Sequence, residues 1–192
     1  GHRVDQPATL SRVHGVLVVD KPRGLSSAAC VDKVRKAVGA ARAGHGGTLD
    51  PLATGVLAVC LGAATKLASY MLADDKAYEA EGLLGVEMDT LDRTGTVTAT
   101  REVNVSRDAM LAAIARRTGE QDQVRPMFSA LKQGGERLYD LARAGVEVER
   151  AARRIRIDRL DLVRFEPPRF ALAIDCTKGT YIRSLVADLG TD

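Results

Sequence analysis

The first apolar positions of the chain fall into a short run followed by a helical stripe. Residues 15–20, Gly-Val-Leu-Val-Val-Asp, lie between polar residues and Lys-Pro, and this run predicts a buried β-strand. A helix is predicted to begin at Ser26 or Ser27, since a serine can cap its first turn, and to end near residue 38. Its predicted apolar face consists of Ala29, Val31, Val34 and Val38.

Four further segments follow from the same patterns. Residues 56–61 form a second apolar run and predict another strand, and residues 64–72 have helical spacing. Residues 78–85 are predicted to be extended. The polar, threonine-rich residues 92–100 predict a hairpin.

A third helix is predicted over residues 106–117. Ser106 can cap it, and Met110, Leu111 and Ile114 are expected to face the core. The next segment, 119–135, contains Gly, Gln, Pro and Ser and predicts a long loop, a kind of segment that is often functional.

The last third of the chain predicts two strands between two helices. Residues 136–144 form a short predicted helix that ends at Gly145, a C-cap residue. Residues 155–164 and 170–176 alternate between apolar and polar positions, with one slip in the first that predicts a bulge. From Thr180 onward the pattern is helical, and the apolar positions recur at helical spacing at Ile182, Leu185, Val186 and Leu189. The whole pattern predicts an α+β fold: a mixed, largely antiparallel sheet with flanking helices.

Composition narrows the class of protein. The 192 residues are 45% hydrophobic and 28% charged, which is typical of one globular domain. No apolar run approaches the length of a membrane-spanning helix, and no secretory signal is visible at the start. The three cysteines are isolated, which fits neither a disulfide framework nor a zinc site and indicates a reducing, cytoplasmic location.

The basic residues are clustered, although the formal net charge is only +3. Such a cluster could neutralise nucleic-acid phosphates, or it could be a solvated strand face paired with Glu147, Glu149 and Asp158. Its members are Arg150, Arg153, Arg154, Arg156 and Arg159.

The segment with the clearest chemistry is residues 44–55, Gly-His-Gly-Gly-Thr-Leu-Asp-Pro-Leu-Ala-Thr-Gly. Its glycines permit unusual backbone angles, and Pro51 restricts Asp50 to extended geometry. A single carboxylate presented in this way can act as a nucleophile or a general base. The structural alternative is an Asx turn, which Asp before Pro commonly opens.

Five segments in the same order resemble the TruB family of tRNA pseudouridine synthases. They are 15–27 with its Lys-Pro, 44–55 around Leu49-Asp50-Pro51-Leu52, Asp75-Lys-Ala-Tyr78, Phe128-Ser-Ala-Leu-Lys132 with the following 137–145, and Lys178-Gly-Thr-Tyr-Ile-Arg183. The resemblance extends over residues 15–189. One departure is Arg125, which precedes Pro126 where many family members have a second proline.

The resemblance implies a role for each matching side chain in the conversion of uridine to pseudouridine. Asp50 is the essential carboxylate, and Arg183 is expected within about 4 Å of it as the cation that keeps it ionised. Tyr78 would stack on the flipped uracil and Tyr181 would wall the base pocket. His45 would fill the gap that the flipped base leaves.

Two lysines are further candidates for contacts with the RNA. Lys21 and Lys132 could each bind a phosphate, although Lys21 could instead support the fold beneath the catalytic loop. The segment 119–150 resembles the RNA-binding insertion called the thumb.

The resemblance therefore implies a cytoplasmic, monomeric enzyme that isomerises the uridine at position 55 in the T arm of tRNA. It implies no cofactor, no metal ion and no membrane. The alternatives are a guide-RNA-dependent pseudouridine synthase subunit and a non-catalytic RNA-binding or tRNA-folding module. Family members continue beyond residue 190 with a further strand and, in most bacteria, a PUA-type domain, so residues 1–192 are expected to be an incomplete catalytic domain.

Overall fold

The structure is a computed structural model that describes residues 13–129, 132–133, 136–145 and 148–192. It contains two compact units, one ending at Asp74 and the other running from Asp75 to Asp192. Every strand pairing in the described residues is antiparallel, and helices accompany the sheets in both units. The expected α+β fold with a largely antiparallel sheet is confirmed.

The first unit is built on a three-stranded sheet in the order β1-β3-β2. Its elements are β1 (Gly15–Lys21), α1 (Ser27–Ala37), β2 (Ala43–His45), β3 (Gly55–Leu61), a 3-10 turn (Gly62–Leu67) and α2 (Ala68–Ala73). Helix α1 begins where the serine pattern predicts, because the Ser26 hydroxyl accepts a hydrogen bond of 3.2 Å from the Ala29 amide.

Strand β1 was expected to be buried, and this expectation was wrong. Val16 is 40% exposed and Val18 is 67% exposed. β1 is an edge strand, and these two valines lie on the sheet face opposite Leu57 and Val59, which pack with α1 in the core of the unit. An apolar run therefore predicted the strand but not which face of the sheet would be covered.

The second unit is built on a four-stranded sheet in the order β4-β11-β10-β7. Two small hairpins, β5-β6 and β8-β9, accompany this sheet. The elements are β4 (Lys76–Leu83), β5 (Val86–Met88), β6 (Val97–Thr100), α3 (Arg107–Arg116), β7 (Gly119–Val124), β8 (Lys132–Gln133), β9 (Glu136–Arg137), α4 (Leu138–Arg143), β10 (Ala152–Glu166), β11 (Arg169–Cys176) and α5 (Ile182–Thr191).

The core of the second unit lies between this sheet and helices α3 and α5. The fully buried side chains Ile157, Leu172 and Ile174 come from the sheet, and Leu185 comes from α5. The predicted slip in β10 is present, and the pairing of β10 with β11 shifts register twice along its length. The helix beginning after Ser106 is confirmed, but Leu111 is 41% exposed rather than in the core.

The segment 119–135 was expected to be a loop, and its first part is a strand instead. β7 pairs with β10 from Gly119 opposite Ile157 to Val124 opposite Ala152. Its sequence, Gly-Glu-Gln-Asp-Gln-Val, has low intrinsic strand propensity, so pairing with a neighbour that is distant in sequence determines its structure. The predicted helix over 136–144 is likewise shorter, because Glu136 and Arg137 belong to β9.

Candidate active site

Asp50 opens a tight turn in the connection between β2 and β3. Its carbonyl oxygen accepts a hydrogen bond of 3.0 Å from the Ala53 amide, which places Pro51 at the second position of the turn. Proline favours that position because its φ is already fixed near the required value. The turn leaves Asp50 half-buried.

The residues on both sides of Asp50 are hydrogen-bonded to the segment that leads from β1 into the first turn of α1. The buried Ser27 hydroxyl accepts a hydrogen bond from the Leu49 amide at 2.9 Å and donates one to the Leu49 carbonyl at 3.1 Å. On the other side, the Gly24 amide donates to the Pro51 carbonyl at 2.7 Å. Because both neighbours are held, the backbone of Asp50 has little freedom to move.

Lys21 is buried beneath this loop and does not face solvent. Its exposed fraction is 0%, and its Nζ donates to the carbonyls of Pro22 at 3.0 Å, Leu25 at 2.7 Å and Pro51 at 3.4 Å. Burial lowers the pKa of Lys21, while the nearby acidic groups of Cys30 and Asp50 act in the opposite direction. The expectation that Lys21 contacts an RNA phosphate is therefore corrected: its ammonium group binds the backbone that carries the aspartate turn.

Two positions of the loop require glycine, each for a different structural reason. Gly55 has a φ of +120°, which favours a residue without a side chain. At Gly46 a Cβ would lie 2.5 Å from the Met71 Cβ, so only glycine fits beside helix α2. His45, which directly precedes Gly46, lies at the end of β2, and its buried Nδ1 has no hydrogen-bond partner within the described residues.

Arg183 lies in the first turn of α5 and is held by two backbone carbonyls. Its Nη1 donates to the Thr90 carbonyl and its Nη2 to the Phe128 carbonyl, each at 2.8 Å. Its Nε lies 3.9 Å from Oδ2 of Asp92, and both side chains are nearly buried, with exposed fractions of 11% and 12%. Since a buried ion pair is screened little by solvent, Asp92 helps to fix the guanidinium group.

Asp92 is itself positioned by the loop between β5 and β6, and the sequence analysis missed it. Its Oδ1 accepts hydrogen bonds from the Thr90 hydroxyl at 2.9 Å, the Thr94 amide at 2.9 Å and the Thr94 hydroxyl at 2.6 Å. The threonine-rich pattern predicted the hairpin, but no local signal links Asp92 to an arginine 91 positions later in the chain.

Tyr181 is fixed by a second residue that the sequence analysis missed, Gln123 of β7. The Gln123 side-chain amide donates to the Tyr181 carbonyl at 3.1 Å, and its oxygen accepts from the Tyr181 amide at 2.8 Å. The Ser184 hydroxyl also donates to the Val124 carbonyl at 3.1 Å. The end of β7 therefore anchors the segment that carries Tyr181 and Arg183.

Tyr78 lies in β4 opposite Ile174 and packs, half-buried, against the core of the second unit. Lys132 belongs to β8, and its side chain is outside the described part of the structure. The structure thus places Lys21, His45 and Asp50 in the first unit. The other predicted site residues, Tyr78, Lys132, Tyr181 and Arg183, are in the second, and the pairing of Asp50 with Arg183 stays a prediction.

Three arginines along β10, Arg154, Arg156 and Arg159, match the alternative of a solvated strand face. Their partners are not mainly the acids expected from local sequence, because most come from neighbouring strands. The closest contacts are Arg154 with Glu120 at 2.9 Å, Arg156 with Asp158 at 2.6 Å and Arg159 with Asp175 at 2.7 Å.

The described residues include no cluster of three or more His, Cys, Asp or Glu that could hold a metal ion. Within the same residues no helix is long and apolar enough to cross a membrane. The three cysteines are buried as free thiols, and burial raises the pKa of Cys60 and Cys176.

The antiparallel α+β fold is one that pseudouridine synthases have. The family model described as the TruB family pseudouridylate synthase, N-terminal domain, matches residues 35–182. The chain therefore belongs to the TruB family.

Relatives and solved structures agree with this family. A tRNA pseudouridine synthase B from Pseudomonas paraeruginosa is 53% identical over 178 residues, which cover 93% of this chain and 59% of the relative. One from Vibrio cholerae is 50% identical, with 93% and 57% covered. The chain thus spans less than two thirds of the length of these curated relatives.

Among solved structures, a crystal structure of a Cbf5-Nop10-Gar1 complex has a chain that is 28% identical, with a TM-score of 0.71 and 93% and 44% of the two chains covered. A structure of an H/ACA RNP bound to a substrate RNA containing 2'-deoxyuridine has one that is 25% identical, with a TM-score of 0.67 and 93% and 42% covered.

Proposed function

We propose that this chain carries the catalytic part of a tRNA pseudouridine synthase that acts on the uridine at position 55 in the T arm. The proposal is supported by membership of the TruB family and by 53% identity to a relative named tRNA pseudouridine synthase B. The 28% identity to a chain of the Cbf5-Nop10-Gar1 complex is much lower, which favours the tRNA enzyme over the guide-RNA-dependent alternative.

The observation that carries the proposal is the anchored turn at Asp50. The reaction breaks the bond between N1 of uracil and C1′ of ribose, turns the base, and joins C5 to C1′. The proton on C5 leaves and N1 gains one, so the atoms balance without redox chemistry. A carboxylate next to C1′ can attack that carbon or remove a proton, and either role requires a fixed position. The hydrogen bonds at Leu49 and Pro51 supply that fixed position.

The remaining site residues have proposed roles around this carboxylate. Arg183 pairs with Asp50 and orients its carboxylate, and Asp92 orients Arg183. Tyr78 stacks on the uracil, and Tyr181 forms a wall of the base pocket. The target base must leave its stack before any reaction, and His45 occupies the space that it vacates.

The same proposal covers the organisation and setting of the protein. Residues 1–192 belong to a pseudouridine synthase domain, and residues 119–150 are its RNA-binding thumb with Lys132 as a phosphate contact. The protein acts as a monomer in the cytoplasm, without a cofactor or metal ion. The three buried free thiols support a reducing location.

Replacing the aspartate tests the proposal directly. In the protein at its full natural length, Asp50→Asn should lower the single-turnover rate of pseudouridine formation in a T-arm stem-loop by several orders of magnitude, because it removes the reacting carboxylate but keeps the shape of the side chain. The matched control is Asp20→Asn, at an exposed position with no hydrogen bond to a described side chain, and it should retain the parental rate.

RNA affinity separates the enzyme from the non-catalytic alternative. The Asp50→Asn protein should bind the T-arm RNA about as well as the parent while forming no product. A parent that binds this RNA but forms no pseudouridine would support an RNA-folding module instead, and near-parental turnover by the variant would refute the role of Asp50.

A further inference from the structure

Two arginines lie where β7 ends and the chain leading into β10 begins, and neither has an acidic partner among the described residues. Arg125 directly follows β7, and Arg150 precedes β10 by two residues. The Arg150 Nη1 donates to the Arg125 carbonyl at 2.9 Å, which brings the two residues together. Neither arginine makes an ion pair with any carboxylate of the described residues, in contrast to Arg154, which contacts Glu120 and Asp122.

Among the residues that the structure describes between 125 and 150, three polar side-chain atoms are buried without a hydrogen-bond partner. They are Nε of Arg125, Nε of Arg150 and Oγ of Ser129. Ser129 is only 5% exposed, so its hydroxyl cannot rely on bulk solvent. Buried donors are normally satisfied, and leaving one unpaired costs about 1–3 kcal/mol. Arg125 and Arg150 are in contact, and Ser129 follows Arg125 by four residues. Unpaired donors on these three residues point to a ligand with several acceptor oxygens.

The region adjoins the segment that carries the proposed catalytic arginine. Residue 128, next to Ser129, accepts a hydrogen bond from Arg183 through its carbonyl. Gln123, two residues before Arg125, holds the backbone of Tyr181 on both sides. A molecule bound at Arg125 and Arg150 would therefore contact the same stretch of chain that positions Tyr181 and Arg183.

We propose that Arg125, Arg150 and Ser129 form a binding site for a phosphodiester group of the substrate RNA, close to the nucleotide that is modified. The inference rests on the proposed function and assigns the RNA backbone to these residues rather than to the exposed arginines of β10. A phosphodiester carries one negative charge and two oxygens that can accept bidentate hydrogen bonds from guanidinium groups. The serine hydroxyl can donate to the same group.

The exposed arginines of β10 are poor candidates for the same contact. A phosphate that approached Arg159 would compete with both Asp161 and Asp175, which already neutralise that guanidinium. Arg125 and Arg150 gain a counter-charge on binding and lose none. RNA that binds Arg125 and Arg150 should therefore displace counterions without breaking an ion pair to a carboxylate. RNA that binds Arg159 would have to break such ion pairs.

The test compares the salt dependence of RNA binding by variants of the full-length protein. The variants are Arg125→Gln, Arg150→Lys and Arg154→Gln, and the probe is a T-arm stem-loop RNA titrated at several salt concentrations. Arg125→Gln should weaken binding severalfold and reduce the slope of log affinity against log salt by about 0.7–0.9, the value for one lost phosphate contact. Arg150→Lys keeps the charge and should keep the slope while weakening binding. Arg154→Gln, which removes an arginine already paired with carboxylates, should change neither quantity.

The outcomes distinguish this site from the function on which it rests. If the parent binds and modifies the RNA but Arg125→Gln has the same affinity and slope as Arg154→Gln, the phosphodiester site is wrong and the proposed function stands. If the parent neither binds nor modifies the RNA, both fail together. Arg125→Gln should unfold at the same denaturant concentration as the parent, because its guanidinium makes no hydrogen bond to the described residues, and a lower midpoint would identify a structural role instead.

Discussion

At the scale of single residues, the candidate site depends on side chains whose contacts are with the protein itself. Lys21 is the clearest case, because its ammonium group joins the carbonyls of Pro22 and Leu25 to the carbonyl of Pro51 in the aspartate turn. Asp92 holds Arg183 in a comparable way. Resemblance to family motifs identified Lys21, Asp50 and Arg183 as candidate site residues. These motifs could not find Asp92, since its importance comes from a contact between distant parts of the chain.

Removing the Lys21 ammonium should destabilise the protein. Lys21→Met keeps most of the buried aliphatic chain but removes the donor to the Leu25 carbonyl and leaves the Pro51 carbonyl with the Gly24 amide alone. We expect a loss of about 1–3 kcal/mol in the free energy of unfolding, measured by urea denaturation. Lys33→Met, at an exposed position of α1, is the control and should change the midpoint little. Equal midpoints for both variants would show that Lys21 is dispensable for the loop.

At the scale of elements, helix α1 and the aspartate turn form one assembly through two adjacent serines. Ser26 caps the helix by accepting a hydrogen bond from the Ala29 amide. Ser27, one residue later, is buried and binds both backbone groups of Leu49. The capping role follows from sequence alone, whereas the contact with Leu49 depends on how the loop folds back over the helix.

The two serines should respond differently to the same substitution. Ser26→Ala removes only the cap and should cost about 1 kcal/mol of stability, with little change in single-turnover rate. Ser27→Ala frees Leu49, so it should cost about 1–3 kcal/mol and also slow pseudouridine formation, because Asp50 is then less precisely placed. Denaturation and single-turnover assays on both variants check this. Indistinguishable rates for the two would mean that the Leu49 contact does not position the carboxylate.

Elements with a strong local pattern were predicted well, and those without one were not. β10 and β11 alternate between apolar and polar residues, and helices α1 and α3 begin after a capping serine. Both patterns are visible in the local sequence. β7 has none, because its inward-facing Gln123 is polar and serves to bind Tyr181. A glutamine at a core-facing strand position breaks the apolar alternation that identifies strands, and such departures are expected beside functional sites.

At the scale of the whole molecule, charge is distributed unevenly over the second unit. The arginines on the exposed face of β10 and its neighbours are matched with carboxylates, whereas Arg125 and Arg150 have no carboxylate partner among the described residues. Composition gave only a net charge of +3, which cannot distinguish these two situations. The division into two compact units was also outside the reach of the sequence patterns, since it depends on contacts that all of the elements make together.

The ion pair between Arg159 and Asp175 should make the free energy of unfolding depend on pH. Hydrogen bonds from the Arg159 guanidinium lower the pKa of Asp175 below its ordinary value. The unfolded chain therefore binds this proton more readily than the folded protein does. The stabilisation is present above the ordinary aspartate pKa of about 3.9 and is lost as the pH falls through the lowered value.

Asp175→Asn should therefore flatten the acid part of the stability curve. We expect the variant to be less stable than the parent at neutral pH and the difference to shrink as the pH falls below about 4, when the parental carboxylate is also protonated. Because both side chains are largely exposed, added salt should reduce the difference at neutral pH as well. Urea denaturation of the parent and of Asp175→Asn across this pH range, at low and high salt, measures both effects, with Asp20→Asn as the exposed control. A constant difference between parent and variant at every pH would show that Asp175 contributes through packing rather than through its ionised pair with Arg159.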